Sequence, residues 1–220
     1  MKRFIFIACI FSAVAIGCTS SETKKEGAMT TDSTAAVTDA SADKMAETPS
    51  APMDSAAMMK AWQAYMTPGE EHKMLAKSNG TWVEEITMWM DPNAPAQKST
   101  AIAENRMILN GLYQESKVKG SFEGMPFEGI STLGYDNGRK VWVSSWIDNM
   151  GTGIMHMEGS MDPATGVLNL KGKGWDPATG KDVDMRETFK IIDDKNQYME
   201  MFCTKDGKEF KTMEMKLVKK

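Results

Sequence analysis

Cysteine and histidine are scarce in this chain of 220 residues, which holds three cysteines and two histidines. Cys9 and Cys18 both fall near the amino terminus, so Cys203 is alone in the rest of the chain and has no disulfide partner there. Cys203 also alternates with Met199 and Met201, a pattern that predicts a small buried side chain rather than a reactive thiol. Packing and hydrogen bonds, not cross-links, must therefore stabilise the fold.

Charge of one sign is not concentrated anywhere. The chain has 26 Lys and Arg against 30 Asp and Glu, a net charge of −4, and no run of basic residues. This excludes the basic patch that nucleic acids and anionic lipid surfaces require. The motifs of serine hydrolases, zinc peptidases and phosphate-binding loops are missing as well. We therefore expect a binding protein rather than an enzyme, with no metal, no cofactor and no nucleic-acid partner.

Long hydrophobic runs are missing except at the amino terminus, where residues 4–16 are apolar and follow Lys2 and Arg3. A helix needs about 20 apolar residues to cross a bilayer, so this shorter run predicts a cleaved signal peptide. Residues 15–18, AIGC, resemble the lipobox of bacterial lipoproteins. That resemblance implies removal of residues 1–17, acylation of Cys18, and anchoring to a membrane of the bacterial cell envelope, where we expect the outer membrane. An ordinary secretory signal that ends in cysteine is the alternative.

Aromatic residues are absent from the next segment, residues 18–54, in which Ser, Thr, Ala, Asp, Glu and Lys dominate. Such a composition cannot bury enough apolar surface to offset the entropy of ordering, so we predict a disordered tether. A flexible chain of about 36 residues reaches roughly 30–35 Å. The tether would hold a folded domain away from the lipid surface.

Two short helices are predicted between residues 55 and 80, as a lead-in to the main body of the chain. Apolar side chains at helical spacing from 55 to 66 would form one stripe, made of Met58, Met59, Trp62, Tyr65 and Met66. A second helix is predicted from Thr67 as its N-cap, with Pro68 at the first position and Glu70 completing a capping box. It has few apolar residues and needs the rest of the fold to be stable.

Two copies of the turn sequence DPATG, at 162–166 and 176–180, bracket one strand-length segment. Pro presets the first turn position, Asp accepts backbone hydrogen bonds, and Gly adopts the positive φ that ends a bulged hairpin. Similar turn signals recur along residues 81–220, and the alternating segments between them predict about ten strands. No helix-length segment interrupts them. We therefore predict an all-β, antiparallel up-and-down barrel, because closure removes exposed strand edges.

Several short motifs resemble, in combination, the bacterial family DUF1579, domains of unknown function. They are PGEEH at 68–72, GTW at 80–82, MILNG at 107–111, FEG at 127–129, GYD at 134–136 and WIDN at 146–149. The resemblance covers residues 60–220 and implies a calycin or lipocalin-like barrel. GTW is similar to the lipocalin Gly-x-Trp motif, whose Trp closes the bottom of the barrel beside an Arg near the last strand. Arg186 is the nearest candidate for that Arg.

A barrel of this size has room inside for side chains or for one small ligand. Our candidate lining residues have large or polarisable apolar side chains and are Met107, Tyr113, Trp142 and Trp146. Trp142 and Trp146 share one strand face, but alternation leaves open whether that face points inward. Glu187 is the one acid on an otherwise apolar strand face, and either it or His72 would provide the polar contact.

Histidine also raises two alternative hypotheses. Met155 and Met157 flank His156, a triplet that suits copper, but on a strand His156 would point away from both methionines. Haem would need His72 or His156 as its axial ligand.

The function that these features favour is binding of a small apolar or amphipathic molecule in the envelope. One alternative is a structural or interaction module that uses the barrel exterior, which predicts an exposed apolar patch and no cavity. Another is an enzyme, which requires Glu187, Asp148 or His72 to meet around one pocket with shifted pKa values.

Overall fold

The computed structural model describes residues 54–220. The predicted signal peptide, the acylated Cys18 and the tether up to residue 53 lie outside the described residues. Neither helix within residues 54–220 has the length and apolar character needed to cross a membrane.

Two helices precede ten strands. The helices are α1, Ser55–Met66, and α2, Glu70–Lys77. The strands are β1 Gly80–Met88, β2 Gln97–Ile108, β3 Tyr113–Phe122, β4 Met125–Asp136, β5 Val141–Asp148, β6 Met155–Met161, β7 Val167–Asp176, β8 Lys181–Ile191, β9 Asn196–Lys205 and β10 Lys208–Lys219. A short 3₁₀ turn at Leu109–Gly111 joins β2 to β3.

Every strand pairs antiparallel with its neighbour in sequence, and β1 pairs with β10 to close the barrel. The closing register places Trp82 opposite Lys219 and Met88 opposite Met213. The predicted all-β, antiparallel up-and-down barrel of about ten strands is therefore confirmed.

The two DPATG turns have the geometry that their sequence predicts. In the first, Asp162 accepts a hydrogen bond from the Ala164 N–H at 2.9 Å and another from the Thr165 hydroxyl at 2.8 Å. Asp176 makes the corresponding bonds of the second turn at the same distances. The final glycines have φ of +66° and +64°. Because each turn reverses the chain between neighbouring strands, the two lie at opposite ends of the barrel.

Helix α2 covers one end of the barrel and is held there by buried hydrogen bonds. Leu75 is 2% exposed, and its carbonyl accepts from Gln114 Nε2 at 2.7 Å. The Ser78 carbonyl accepts from Trp82 Nε1 at 2.8 Å, and the Ser78 hydroxyl accepts from Gln197 Nε2 at 2.7 Å. Strands β1, β3 and β9 thus each contribute a bond, which stabilises a helix that has few apolar residues of its own.

Trp82 lies at the closed end, 1% exposed, with a cation beside it. That cation is Lys219, whose Nζ lies 5.3 Å from the centre of the Trp82 ring and donates to the Lys77 carbonyl at 3.2 Å. Arg186 lies instead on the outer face of β8, 3.8 Å from the centre of the Phe202 ring. The expectation of Arg186 at this place is wrong, because strand alternation turns it outward.

The start of α2 also differs from the prediction. The helix begins after Gly69, whose N–H donates to His72 Nδ1 at 3.0 Å. Thr67 ends α1 instead, and its hydroxyl donates to the Gln63 carbonyl at 2.6 Å. The N-cap assignment to Thr67 is wrong, because Pro68 and Gly69 are both outside the helix and Gly69 is the extended residue directly before the first helical turn.

Helix α1 is exposed along its whole length. The predicted stripe forms, but its side chains remain 47–69% exposed: Met58, Met59, Trp62, Tyr65 and Met66. Asn137, in the turn between β4 and β5, donates from Nδ2 to the carbonyls of Tyr65 and Thr67 at 3.1 and 2.9 Å. The barrel therefore holds the carboxyl end of α1 and leaves most of its apolar stripe uncovered.

Alternation along the strands sends one set of side chains inward, where they form two buried clusters. The first consists of Trp82, Ala101, Ala103, Val118, Met215 and Leu217. The second consists of Leu75, Trp142, Met157, Leu168 and Leu170. Leu75 belongs to α2, and Trp82 donates a hydrogen bond to Ser78, the residue directly after this helix. The tightly packed part of the interior is therefore the half next to α2.

Candidate functional site

Both candidate tryptophans of β5 point inward, which answers the question that alternation left open. Trp142 is 3% exposed and lies 5.2 Å from the ring of Tyr135, centre to centre. Trp146 stacks on Phe127 at 6.2 Å, and its Nε1 donates to Asp148 at 2.7 Å. The residues that alternate with them form the outer face of β5: Val141, Val143, Ser145 and Ile147.

Met107 and Glu187 also face the interior, whereas Tyr113 does not. Met107 packs against the cluster that contains Trp142. Tyr113 is 41% exposed on the outer face of β3, and its ring covers Gly134 of β4. Tyr113 is therefore not a lining residue. The residue that points inward here is Gln114, which donates a hydrogen bond to the Leu75 carbonyl in α2.

His72 is buried at the end of the barrel that α2 covers, and His156 points outward. His72 is 2% exposed, lies edge-on to Tyr135 with ring centres 6.3 Å apart, and uses Nδ1 to accept from the backbone of α2. His156 is exposed on the outer face of β6, and Met155 and Met157 turn inward on either side of it. Among residues 54–220, no three His, Cys, Asp or Glu side chains gather into a metal site.

The groups required by the enzyme alternative lie apart. Asp148 is at the end of β5 that is furthest from α2, bound to Trp146. His72 is beneath α2, and Glu187 is in the middle of β8. This arrangement offers no shared pocket in which the three side chains could act on one substrate.

In the lumen, at the middle of the barrel, several inward side chains keep accessible surface. Inward residues at mid-strand are only half-buried, among them Ser131, Ser144, Met185, Glu187, Met199 and Met201. A packed core would bury them as completely as Met157, which is 1% exposed. Small side chains of β2 to β4 line one side of this lumen, and the thioethers of β8 to β10 line the other.

Glu187 forms part of the wall of this lumen. Burial raises the pKa of its carboxyl from 4.5 to about 7, and no charged group contributes to the shift. The side chain nevertheless keeps accessible surface. Such a group titrates near neutral pH and can donate or accept a hydrogen bond.

Glu84 is a second buried acid, and the sequence reasoning missed it. It is 4% exposed, its Oε2 has no hydrogen-bond partner, and burial raises its pKa from 4.5 to about 7. It lies between Trp82 and Ile86 on the inward face of β1, opposite Ala101 and Leu217. The signal was present, because period-two alternation places Glu84 on the same face as the Trp that closes the barrel.

An open groove of about 540 Å³ lies at the end of the barrel that α2 covers, between this helix and the ends of β4 to β6. Glu70, Glu71, Lys73 and Lys77 line its helix side. Trp142 and Met161 line its floor, although both belong to the inward face of their strands. The groove therefore reaches the packed end of the interior from the side of α2.

Comparison with solved structures found chains of similar fold, and the one with a TM-score above 0.5 supports the barrel. The crystal structure of Rv2717c from M. tuberculosis is similar at 12% identity, with a TM-score of 0.53, over 70% of this chain and 99% of that one. The structure of the S-type phycobiliprotein lyase CPES from Guillardia theta aligns at 10% identity and a TM-score of 0.49, over 72% of this chain and 96% of that one. No curated protein sequence matches this chain.

The family comparison covers the described body of the protein from the end of α1 to the last strand. The model of the family described as "Protein of unknown function (DUF1579)" matches residues 67–219. This range includes α2 and all ten strands and amounts to more than half of the chain. The chain therefore belongs to the DUF1579 family.

Proposed function

We propose that this protein is an envelope lipoprotein that binds a small apolar or amphipathic molecule inside its barrel. One observation carries the proposal: inward side chains at mid-strand, such as Ser131 and Met201, keep accessible surface that a filled core would remove. A wall of flexible thioethers adapts to apolar chains of different shape. Trp146 would line the site, Trp142 and Met107 would close its end next to α2, and a buried carboxyl would contact the polar part of the ligand.

The proposed location rests on the amino-terminal sequence. A lipid chain on Cys18 would attach the protein to the membrane, which is then its partner, and residues 18–54 would let the barrel stand off the surface. The even charge distribution argues against a nucleic-acid partner. Globomycin treatment, which blocks lipoprotein signal cleavage, should retain residues 1–17 on the protein, and a Cys18→Ser variant should leave the membrane fraction.

Native mass spectrometry of protein purified from its own envelope tests the binding function. The expected result is a small molecule that copurifies with the folded barrel. Nile red titration provides a second measurement: Ser131→Leu, which adds bulk inside the lumen, should weaken dye binding. Thr132→Leu adds similar bulk on the outer face and is the control. An empty barrel, together with equal dye binding by both variants, would refute the proposal.

A second candidate function is docking of α1 on the lipid surface to which Cys18 would be attached. The exposed stripe of α1 favours it, because Trp62 and Tyr65 have the amphipathic rings that lie at membrane interfaces. This helix also directly follows the proposed tether. Unlipidated protein should float with zwitterionic phosphatidylcholine vesicles, and a Met59→Ser/Trp62→Ser variant should not. Equal flotation of both would rule out this role for α1.

A further inference from the structure

Glu84 is a carboxyl group that lacks the partner its burial demands. Its partners on the two paired strands are the apolar Ala101 and Leu217. The adjacent inward residues of β1 are Trp82 and Ile86. Oε2 has no hydrogen-bond donor within reach. A buried polar atom without a partner costs free energy that a packed apolar side chain would avoid. A ligand that supplies a donor to Glu84 would remove this cost.

The charges around the lumen are acidic. Glu84, Glu187 and Asp148 all face inward, on β1, β8 and β5. Along the described strands, no Lys or Arg side chain faces inward away from the two rims. Lys219 is at the closed rim, engaged with Trp82 and the end of α2. A carboxylate or phosphate head group would therefore meet like charge inside this barrel, whereas an ammonium group would meet opposite charge.

Space for an apolar chain begins one step along β1 from Glu84, where Ile86 and, opposite it, Ser99 face inward and keep accessible surface, whereas Ala101 and Ala103 beside the acid are buried. On the other side, Leu217 and Met215 of β10 lie next to Glu84, and Met213 and Met201 follow toward the end of the barrel that is away from α2. An unbranched chain could lie among these thioethers with its polar end at the acid.

We propose that Glu84 receives the polar end of the ligand, and that the ligand is an amphiphile with an ammonium or other N–H donor on an apolar chain. This inference rests on the proposed function, because it assigns chemistry to the same lumen. It excludes fatty acids and phosphorylated lipids as the preferred ligands.

Isothermal titration with three amphiphiles of equal chain length tests the inference: dodecylamine, dodecanol and dodecanoate. The protein is the whole chain from residue 18 with Cys18→Ser, which can be handled without detergent. We expect dodecylamine to bind at least about 10-fold more tightly than dodecanoate, because only the amine pairs with a buried carboxyl. Dodecanol should lie between them.

Three variants locate the contact. Glu84→Gln keeps the size of the side chain and should weaken dodecylamine binding about 10-fold while changing dodecanol binding less than about twofold. Glu85→Gln, on the outer face of the same strand, should change neither. Glu187→Gln tests the other acid, and a loss of amine binding there but not in Glu84→Gln would overturn the assignment.

The outcomes also separate this inference from the proposed function. Tighter binding of dodecanoate, or equal binding of all three chains, would overturn the choice of ligand class and leave the barrel a binding protein. Failure of all three chains to bind, with circular dichroism showing a folded barrel, would overturn both.

Discussion

At the scale of single residues, two buried carboxyl groups distinguish this barrel from one built only for packing. Glu84 and Glu187 both face inward, and burial raises the pKa of each from 4.5 to about 7. Desolvation is the cause at both sites, because no cation lies near enough to offset it. Buried titratable groups of this kind concentrate where proteins bind or react, so they support the proposal that the lumen is the binding site.

The raised pKa of Glu84 predicts how stability depends on pH. The folded state holds the proton of the Glu84 carboxyl more tightly than the unfolded chain does. The stability that this proton contributes is therefore fully present below the unfolded pKa of 4.5 and is lost as pH rises through about 7. Glu84→Gln should therefore raise the free energy of unfolding by up to about 3 kcal/mol near pH 8, with little effect near pH 4.

Urea unfolding of the wild type and the variant at the two pH values measures this difference. Glu85→Gln serves as the control, since Glu85 is exposed on the outer face of the same strand. A Glu84→Gln variant that is less stable than wild type near pH 8 would show that the carboxylate has a partner in the folded protein.

At the scale of elements, local sequence decided the turns, whereas contacts with the rest of the fold decided the helices. The DPATG turns contain all of their own hydrogen-bonding groups, and both copies form the same structure. Helix α2 begins after Gly69 and not Thr67, with a side chain of its own third residue as the cap. Leu75 and Ser78 then connect it to three strands.

The two helices should respond differently to loss of a large side chain. Leu75→Ala in α2 should lower the free energy of unfolding by about 2–5 kcal/mol, because Leu75 is 2% exposed and its removal leaves a cavity. Trp62→Ala in α1 should change it by less than about 0.5 kcal/mol, since Trp62 is 55% exposed. Chemical denaturation monitored by far-UV circular dichroism compares the two, and an equal loss would mean that α1 is packed in solution.

Strands β6 and β7 approach each other so closely that both Gly159 and Gly172 lack room for a side chain. A Cβ at Gly159 would overlap the carbonyl oxygen of Asn169 on the paired strand. Gly159→Ala should therefore destabilise the barrel by about 3 kcal/mol. Gly153→Ala, at a loop position with nothing within 4 Å, should be neutral and is the control. Thermal unfolding measures both, and a neutral Gly159→Ala would contradict the close approach.

At the scale of the whole molecule, closure is the property on which the barrel depends. Residues at opposite ends of the described body pair with each other, as Trp82 does with Lys219. Every strand therefore has two neighbours, and no row of unpaired backbone groups is left along an edge. Such distant pairing predicts slow folding, because a long loop must close before its contacts form.

Truncation should separate the barrel from its amino-terminal segments. A chain of residues 67–220 keeps α2 and all ten strands and should unfold with the same cooperativity as the whole protein. A chain ending at residue 207 lacks β10, exposes the edges of β1 and β9, and should aggregate. Size-exclusion chromatography and circular dichroism distinguish the two. A monomeric, folded chain without β10 would show that closure is dispensable.

The sequence by itself determined the strand pattern, the turn chemistry and the antiparallel order, because period-two alternation and self-contained turns are local properties. Closure was predicted from the cost of exposed strand edges, and pairing between distant residues achieves it. It also identified the family through motifs such as that around Trp82. Only the tertiary structure decided which strand face lines the lumen, since turning a strand over leaves its alternation unchanged. That choice placed Trp142 and Trp146 inside and Tyr113 outside. It also made Lys219, and not Arg186, the cation beside Trp82. It also brought Glu84 into an interior without a partner, because burial and hydrogen bonding depend on neighbours from strands distant in sequence.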